Sequence, residues 1–132
     1  MGLDSVVHTK NFDFNKNPSR VIVGILPPPN DNAINIEQVR VALITEETNN
    51  GNHWREYKER YGIIGNAEFT LKDIDSGEQK DYEMVTGDTL DIPPRIALRI
   101  KAEVGSVIIC VSESYDRDKG THKYYGFEDQ TS

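Results

Sequence analysis

A single cysteine, no apolar run of bilayer-spanning length and no cluster of basic residues exclude several classes of protein at the outset. Cys110 cannot form an internal disulfide or, alone, a cysteine zinc site. It lies within Val107-Ile108-Ile109-Cys110-Val111 and reads as a small hydrophobe of a strand. The 15 Lys and Arg are scattered and outnumbered by 22 Asp and Glu, giving a net charge of −7. That balance argues against a nucleic-acid or anionic-membrane surface, because phosphate recognition needs clustered cations. Nothing reads as a signal peptide, so a reducing cytoplasm is the expected compartment. No segment carries the period of an amphipathic helix, and there is no internal repeat or low-complexity tract.

What is present is a succession of short β-rich runs broken by turn chemistry. The 132 residues, 36% hydrophobic and 28% charged, suit one soluble domain with a real core. Residues 1–19 read as an irregular arm or edge strand, about 20–113 as the core, and 114–132 as a polar, aromatic tail wrapping the outside. Strands are expected at 21–26, 39–45, 53–61, 66–72, 79–85, 90–92, 96–104 and 106–112. Pro27-Pro28-Pro29-Asn30-Asp31-Asn32 marks a loop, and Thr48-Asn49-Asn50-Gly51-Asn52 and Asp73-Ile74-Asp75-Ser76-Gly77 mark turns. Some eight strands without a helix predict an all-β antiparallel sandwich or barrel.

Alternation along strands sorts the side chains. Ala67, Phe69 and Leu71 share one face, as do Ile96, Leu98, Ile100, Ala102 and Val104. Arg95, Arg99, Lys101 and Glu103 then point out. Carried back across a Gly62…Gly65 corner, the same parity turns His53, Arg55, Tyr57, Glu59 and Tyr61 inward. Trp54, Glu56, Lys58 and Arg60 face out, solvent-exposed apart from Trp54. A bulge at either glycine would reverse this assignment. Ionisable groups inside a barrel are costly unless paired, so they imply a site or a salt-bridge network. The alternative is an Arg55–Glu59 pair on a solvated face, with His53 an ordinary strand-end histidine. His8 and His122 read as surface residues.

The segment Gly51 to Phe69 resembles the first motif of the cupin superfamily, a His-x-His pair and a downstream Glu before a glycine turn. His53, Glu59 and Gly65 fit it, with Arg55 in place of the second histidine and a Glu-to-Gly spacing one residue short. Gly87 to Leu98 is similar to the second motif. Gly87 and Pro93 match, while Arg95 replaces a glycine and Leu98 replaces a histidine. Asn66-Ala67-Glu68-Phe69, Asp91-Ile92-Pro93-Pro94 and Glu113-Ser114-Tyr115-Asp116 resemble the RmlC-like, nucleotide-sugar branch. The resemblance covers about residues 36 to 118 and implies a cupin double-stranded β-helix, a jelly-roll barrel.

The departures bear on the chemistry. A cupin metal site takes three histidines and a carboxylate, whereas this chain offers His53 and Glu59. Arginine repels a divalent ion and leucine has no lone pair, so no metal and no other cofactor is expected. The resemblance to the metal-independent sugar epimerases and ketoisomerases implies His53 as base, Glu59 as its orienter or a proton carrier, and Tyr57 or Tyr61 as acid. Arg55 would hold an enolate oxygen or a phosphate. The implied partner is a sugar or nucleotide-sugar, with no nucleic acid or membrane partner, in a homodimer. The competing expectation is a non-catalytic cupin that binds a small carbohydrate or serves as an interaction domain. An enzyme should show His53 bonded to a carboxylate in an open cavity; an Arg55 that fills the lumen and pairs with Glu59 favours binding.

Overall fold

The computed structural model describes residues 2–10, 14–17, 19–24, 34–47, 49–114 and 120–127. After a short 3-10 turn at Leu3–Ser5 come β1 (Val7–Thr9), β2 (Phe14–Asn17), β3 (Arg20–Val23), β4 (Gln38–Leu43), β5 (Asn49–Arg55) and β6 (Glu59–Ile64). β7 (Asn66–Asp73), β8 (Gln79–Val85), β9 (Thr89–Ile92), β10 (Ile96–Ala102), β11 (Val107–Ser112) and β12 (Thr121–Lys123) follow. They form two five-stranded sheets, ordered β1-β9-β6-β11-β4 and β12-β5-β10-β7-β8, and a separate β2-β3 hairpin. Every pairing is antiparallel. This is the all-β antiparallel architecture expected from the strand spacing, in the jelly-roll form that the cupin resemblance implies.

The facing sheets close on Tyr61, Ile63, Phe69, Leu71, Met84, Leu90, Leu98 and Ile100. Register stacks these side chains: Leu71 stands opposite Leu98, and Phe69 lies between Ile100 and Tyr82. Fully burying each such side chain contributes about 1.5–3 kcal/mol, which makes this layer the main source of stability. The turn between β6 and β7 needs glycine. Gly65 has φ 120, and a Cβ there would lie 2.9 Å from the Ser106 Cα.

Several expectations are corrected. The strand read over 53–61 is two strands, and the turn at residues 56–58 carries the chain from one sheet to the other. Gly62 lies within β6, so the corner is at Gly65 alone. Asn49–Asn52 is not a turn but part of β5, where a bulge opposite Leu98 and Arg99 absorbs Gly51 and Asn52 at φ 93 and 58. Arg60 is not exposed: it is 1% accessible, joined to Asp91 across the β6–β9 pairing and with β3 packed on β6. Arg99 is also buried, its guanidinium 5.0 Å from the Phe127 ring. Val104, expected inside, is 60% exposed because β10 ends at Ala102.

His8 is half-buried on β1, an edge strand, with Nε2 3.2 Å from the Asp88 carboxylate. The tail does more than wrap the barrel, since β12 joins the second sheet at its edge. The proline loop at 27–32, Thr48 and Tyr115-Asp116 lie outside the described residues. No helix among the described residues is long and apolar enough to cross a membrane.

Candidate active site

The five inward-facing residues of the His53–Tyr61 stretch come together despite the turn that interrupts them. β5 delivers His53 and Arg55, the turn delivers Tyr57, and β6 delivers Glu59 and Tyr61. Arg55 is the centre of the group. Its Nε donates to Glu59 Oε2 at 2.9 Å and to His53 Nε2 at 3.1 Å. Its Nη1 donates to the Tyr57 hydroxyl at 2.7 Å and to Thr121 Oγ1 at 2.8 Å. The Tyr61 hydroxyl donates to Glu59 Oε1 at 3.1 Å, and the Cys110 thiol donates to Oε2 at 3.2 Å.

Burial and charge shift these groups. Burial, then the Arg55 charge, lowers His53 to about 4 against a hydrogen bond with the Gly51 backbone. Its imidazole is therefore neutral near pH 7, with Nε2 presenting a lone pair to Arg55. Burial pushes Glu59 above the usual carboxylate range, opposed by Arg55 and by the donors Cys110 and Tyr61. Burial also raises Tyr61 and Cys110 well above their ordinary values, with the Glu59 charge adding to each shift. Arg55, which burial alone would lower, is held above its usual value by Glu59 and the two tyrosines.

The donor set does not fit the divalent ion that a cupin barrel commonly holds. A cationic guanidinium stands between the imidazole and the carboxylate. Leu98, which the cupin resemblance sets at a histidine position, faces His53 across the β5–β10 pairing and is 1% exposed. No group of three or more His, Cys, Asp or Glu among the described residues is arranged to hold a metal. A cavity of about 410 Å³ lies elsewhere, against Glu47, Glu68, Glu83, Glu103 and Lys101. Its acidic lining repels a phosphate, so an anionic ligand is better met by Arg55 in the His53–Tyr61 group.

The neighbouring corner explains how the second motif tolerates its departure. Arg95 adopts φ 68, a left-handed conformation that favours glycine. Its guanidinium pairs with Asp75 at 2.6 Å and lies 5.2 Å from the Trp54 ring. Its backbone N–H donates to the Arg55 carbonyl at 3.0 Å, tying the corner to the site.

Two members of the group were not singled out from the sequence as site residues. Cys110 shares a face with Ile108, so alternation along β11 could have placed it inside. Thr121 carries no local signal, because only the pairing of β12 with β5 brings it to Arg55.

This architecture is shared with solved structures of sugar isomerases. The structure is similar to a dTDP sugar isomerase from Desulfovibrio desulfuricans G20, with a TM-score of 0.78 and 9% identity over 92% of this chain and 85% of that one. It is also similar to QdtA, a sugar 3,4-ketoisomerase from Thermoanaerobacterium thermosaccharolyticum in complex with TDP. There the TM-score is 0.73 and the identity 19%, over 93% of this chain and 90% of that one. The capsular polysaccharide assembling protein CapF from Staphylococcus aureus matches 66% of this chain and 26% of its own length, with 23% identity and a TM-score of 0.58. No protein-family model matches the sequence, and no curated protein matches it.

Proposed function

We propose that the barrel mouth binds a nucleotide-linked deoxysugar and interconverts its keto isomers or epimers without a metal, in the cytoplasm. The observation that carries this reading is the convergence of a neutral imidazole, an arginine, a carboxylate and two phenols on one another within this fold. His53 removes a proton from the carbon beside the ketone, and Arg55 takes up the negative charge developing on the oxygen. For a keto isomer a proton returns to the former carbonyl carbon while the hydroxyl proton passes between the two oxygens. For an epimer it returns to the carbon it left, from the opposite face. Electrons stay within the sugar, so no redox cofactor is required. Tyr57 is placed to give and take the oxygen proton. Tyr61, sealed behind Glu59, fixes that carboxylate. Burial, the larger cause, still depresses His53, but an anionic ligand that takes the Arg55 charge relieves the smaller part and strengthens it as a base.

A specific observation favours a second reading, a non-catalytic sugar-binding cupin. Arg55 occupies the mouth and pairs with Glu59, and His53 meets an arginine rather than a carboxylate. Both readings share the ligand and differ in turnover. For quaternary structure we propose a homodimer. Val39, Val41 and Leu43 on the edge strand β4 are 51%, 67% and 62% exposed, an apolar ridge that a second copy would cover.

A thermal-shift screen with TDP, TDP-sugars, free sugars and divalent metals tests the ligand class, since a ligand specific to the folded state raises stability. A rise with TDP-sugars and none with metals is expected. A rise with metal alone contradicts the proposal.

A further inference from the structure

The Arg55 guanidinium reaches a partner from far along the chain: Thr121, 66 positions later, accepts its Nη1 hydrogen bond at 2.8 Å. Thr121 opens β12, whose register sets Thr121 against Arg55, His122 against Trp54 and Lys123 against His53. Alternation therefore divides this short strand. Thr121 turns with Arg55 towards the barrel mouth, and His122 turns with Trp54 to the outside.

The outer side forms a clamp. The His122 ring stacks on Trp54 at 4.2 Å with 23° between the planes. Its Nε2 lies 2.5 Å from the Glu56 carboxylate. Backbone bonds fix the strand at both ends, from Glu56 N to the Gly120 carbonyl and from Tyr124 N to the Asn52 carbonyl, each 2.8 Å. Beyond it, Phe127 is 1% exposed beside Arg99. Gly120 has φ 80, and a Cβ there would lie 3.4 Å from the Glu56 Cβ, so the entry to the strand is built for close approach.

We propose that β12 is a wall of the binding site and that Thr121 is a positioning residue for the Arg55 guanidinium, with His122 clamping the strand from outside. A guanidinium is a rigid planar fork, so the acceptors on one arm decide where the other arm points. Tyr57 and Thr121 hold the Nη1 arm, while Glu59 and His53 hold Nε. Losing the Thr121 oxygen lets the fork rotate and misaligns it for an anionic ligand. This consequence for binding rests on the reading of Arg55 as the ligand's anion contact.

The test compares Thr121→Val, which keeps the branched shape, with Thr121→Ser, which keeps the oxygen. The Arg55 Nε–H signal is followed by NMR in the free protein, assigned with Arg55→Lys, and TDP affinity is measured by calorimetry. Thr121→Val is expected to shift the Arg55 signal, speed its hydrogen exchange and weaken TDP binding about tenfold. Thr121→Ser should match the native protein in both readouts, and His122→Ala should move both in the direction of Thr121→Val. An Arg55 signal unchanged in Thr121→Val overturns the positioning role. A native protein that binds no TDP overturns the ligand reading instead, and the Arg55 signal still decides the role of Thr121.

Discussion

Arg55 reaches across the turn between β5 and β6 to Glu59, 2.9 Å away, and makes one ion pair out of two strands that belong to different sheets. Both side chains are mostly covered, 13% and 4% exposed, so neither charge is compensated by water alone. Removing one partner strands the other. Arg55→Ala is expected to cost about 3–5 kcal/mol in urea unfolding, whereas replacing both, as Arg55→Met with Glu59→Leu, recovers most of that loss. An Arg55→Ala variant of native stability would mean that the pair is solvated.

The depressed His53 gives stability a definite slope on the acid side. Unfolded, the imidazole titrates near 6.5; folded, near 4, so between these values the unfolded chain binds more protons. Stability therefore rises with pH across that window, by up to about 3 kcal/mol from this group. Glu59 acts oppositely, because a raised carboxylate loses its contribution as pH climbs past the ordinary range. Raised Cys110 and Tyr61 likewise withdraw stability above the usual thiol range. Denaturation of native protein and His53→Asn from pH 4 to 7 should show the slope flattened in the variant. Equal slopes would refute the assignment.

Arg95 holds a backbone conformation that suits glycine, and repays part of its strain through Asp75 and Trp54. Arg95→Ala keeps the strained backbone and loses both contacts, so its melting temperature should fall. Arg95→Gly loses the contacts but relieves the backbone, and should melt above the alanine variant. The reverse order would show that the side chain alone decides this corner.

Covering the β4 ridge explains its composition better than solvent does. Val41→Glu places a charge at the centre of the ridge, where Val41 is 67% exposed. Sedimentation should report a dimer for the unmodified chain and a monomer of native fold for the variant. A native protein that is monomeric at high concentration would remove the homodimer.

From β7 to β11 the pattern of the sequence and the fold agree closely, because alternation there runs unbroken and glycine or proline marks each turn. The stretch from 49 to 61 was harder to read. The Asn-Gly pair that resembles a turn is a bulge, and the true turn at Glu56-Tyr57-Lys58 has neither glycine nor proline. Parity nevertheless placed His53, Arg55, Tyr57, Glu59 and Tyr61 together. Arg60 and Arg99 were misplaced because alternation assumes a solvated outer face. Here β3 packs on β6, and Phe127 covers Arg99. Thr121 was beyond reach, since a strand of three residues has no period to detect.

The most direct test is proton exchange on a keto-sugar in heavy water. TDP-4-keto-6-deoxyglucose, the ligand bound in one structure of QdtA, is incubated with the protein and EDTA and followed by NMR. Deuterium should enter at the former carbonyl carbon of a keto isomer or at the carbon beside the ketone of an epimer, the product should form despite the chelator, and His53→Asn should abolish both. Sugar protons that stay unexchanged while the nucleotide-sugar binds would contradict the isomerase and make the barrel a binding domain.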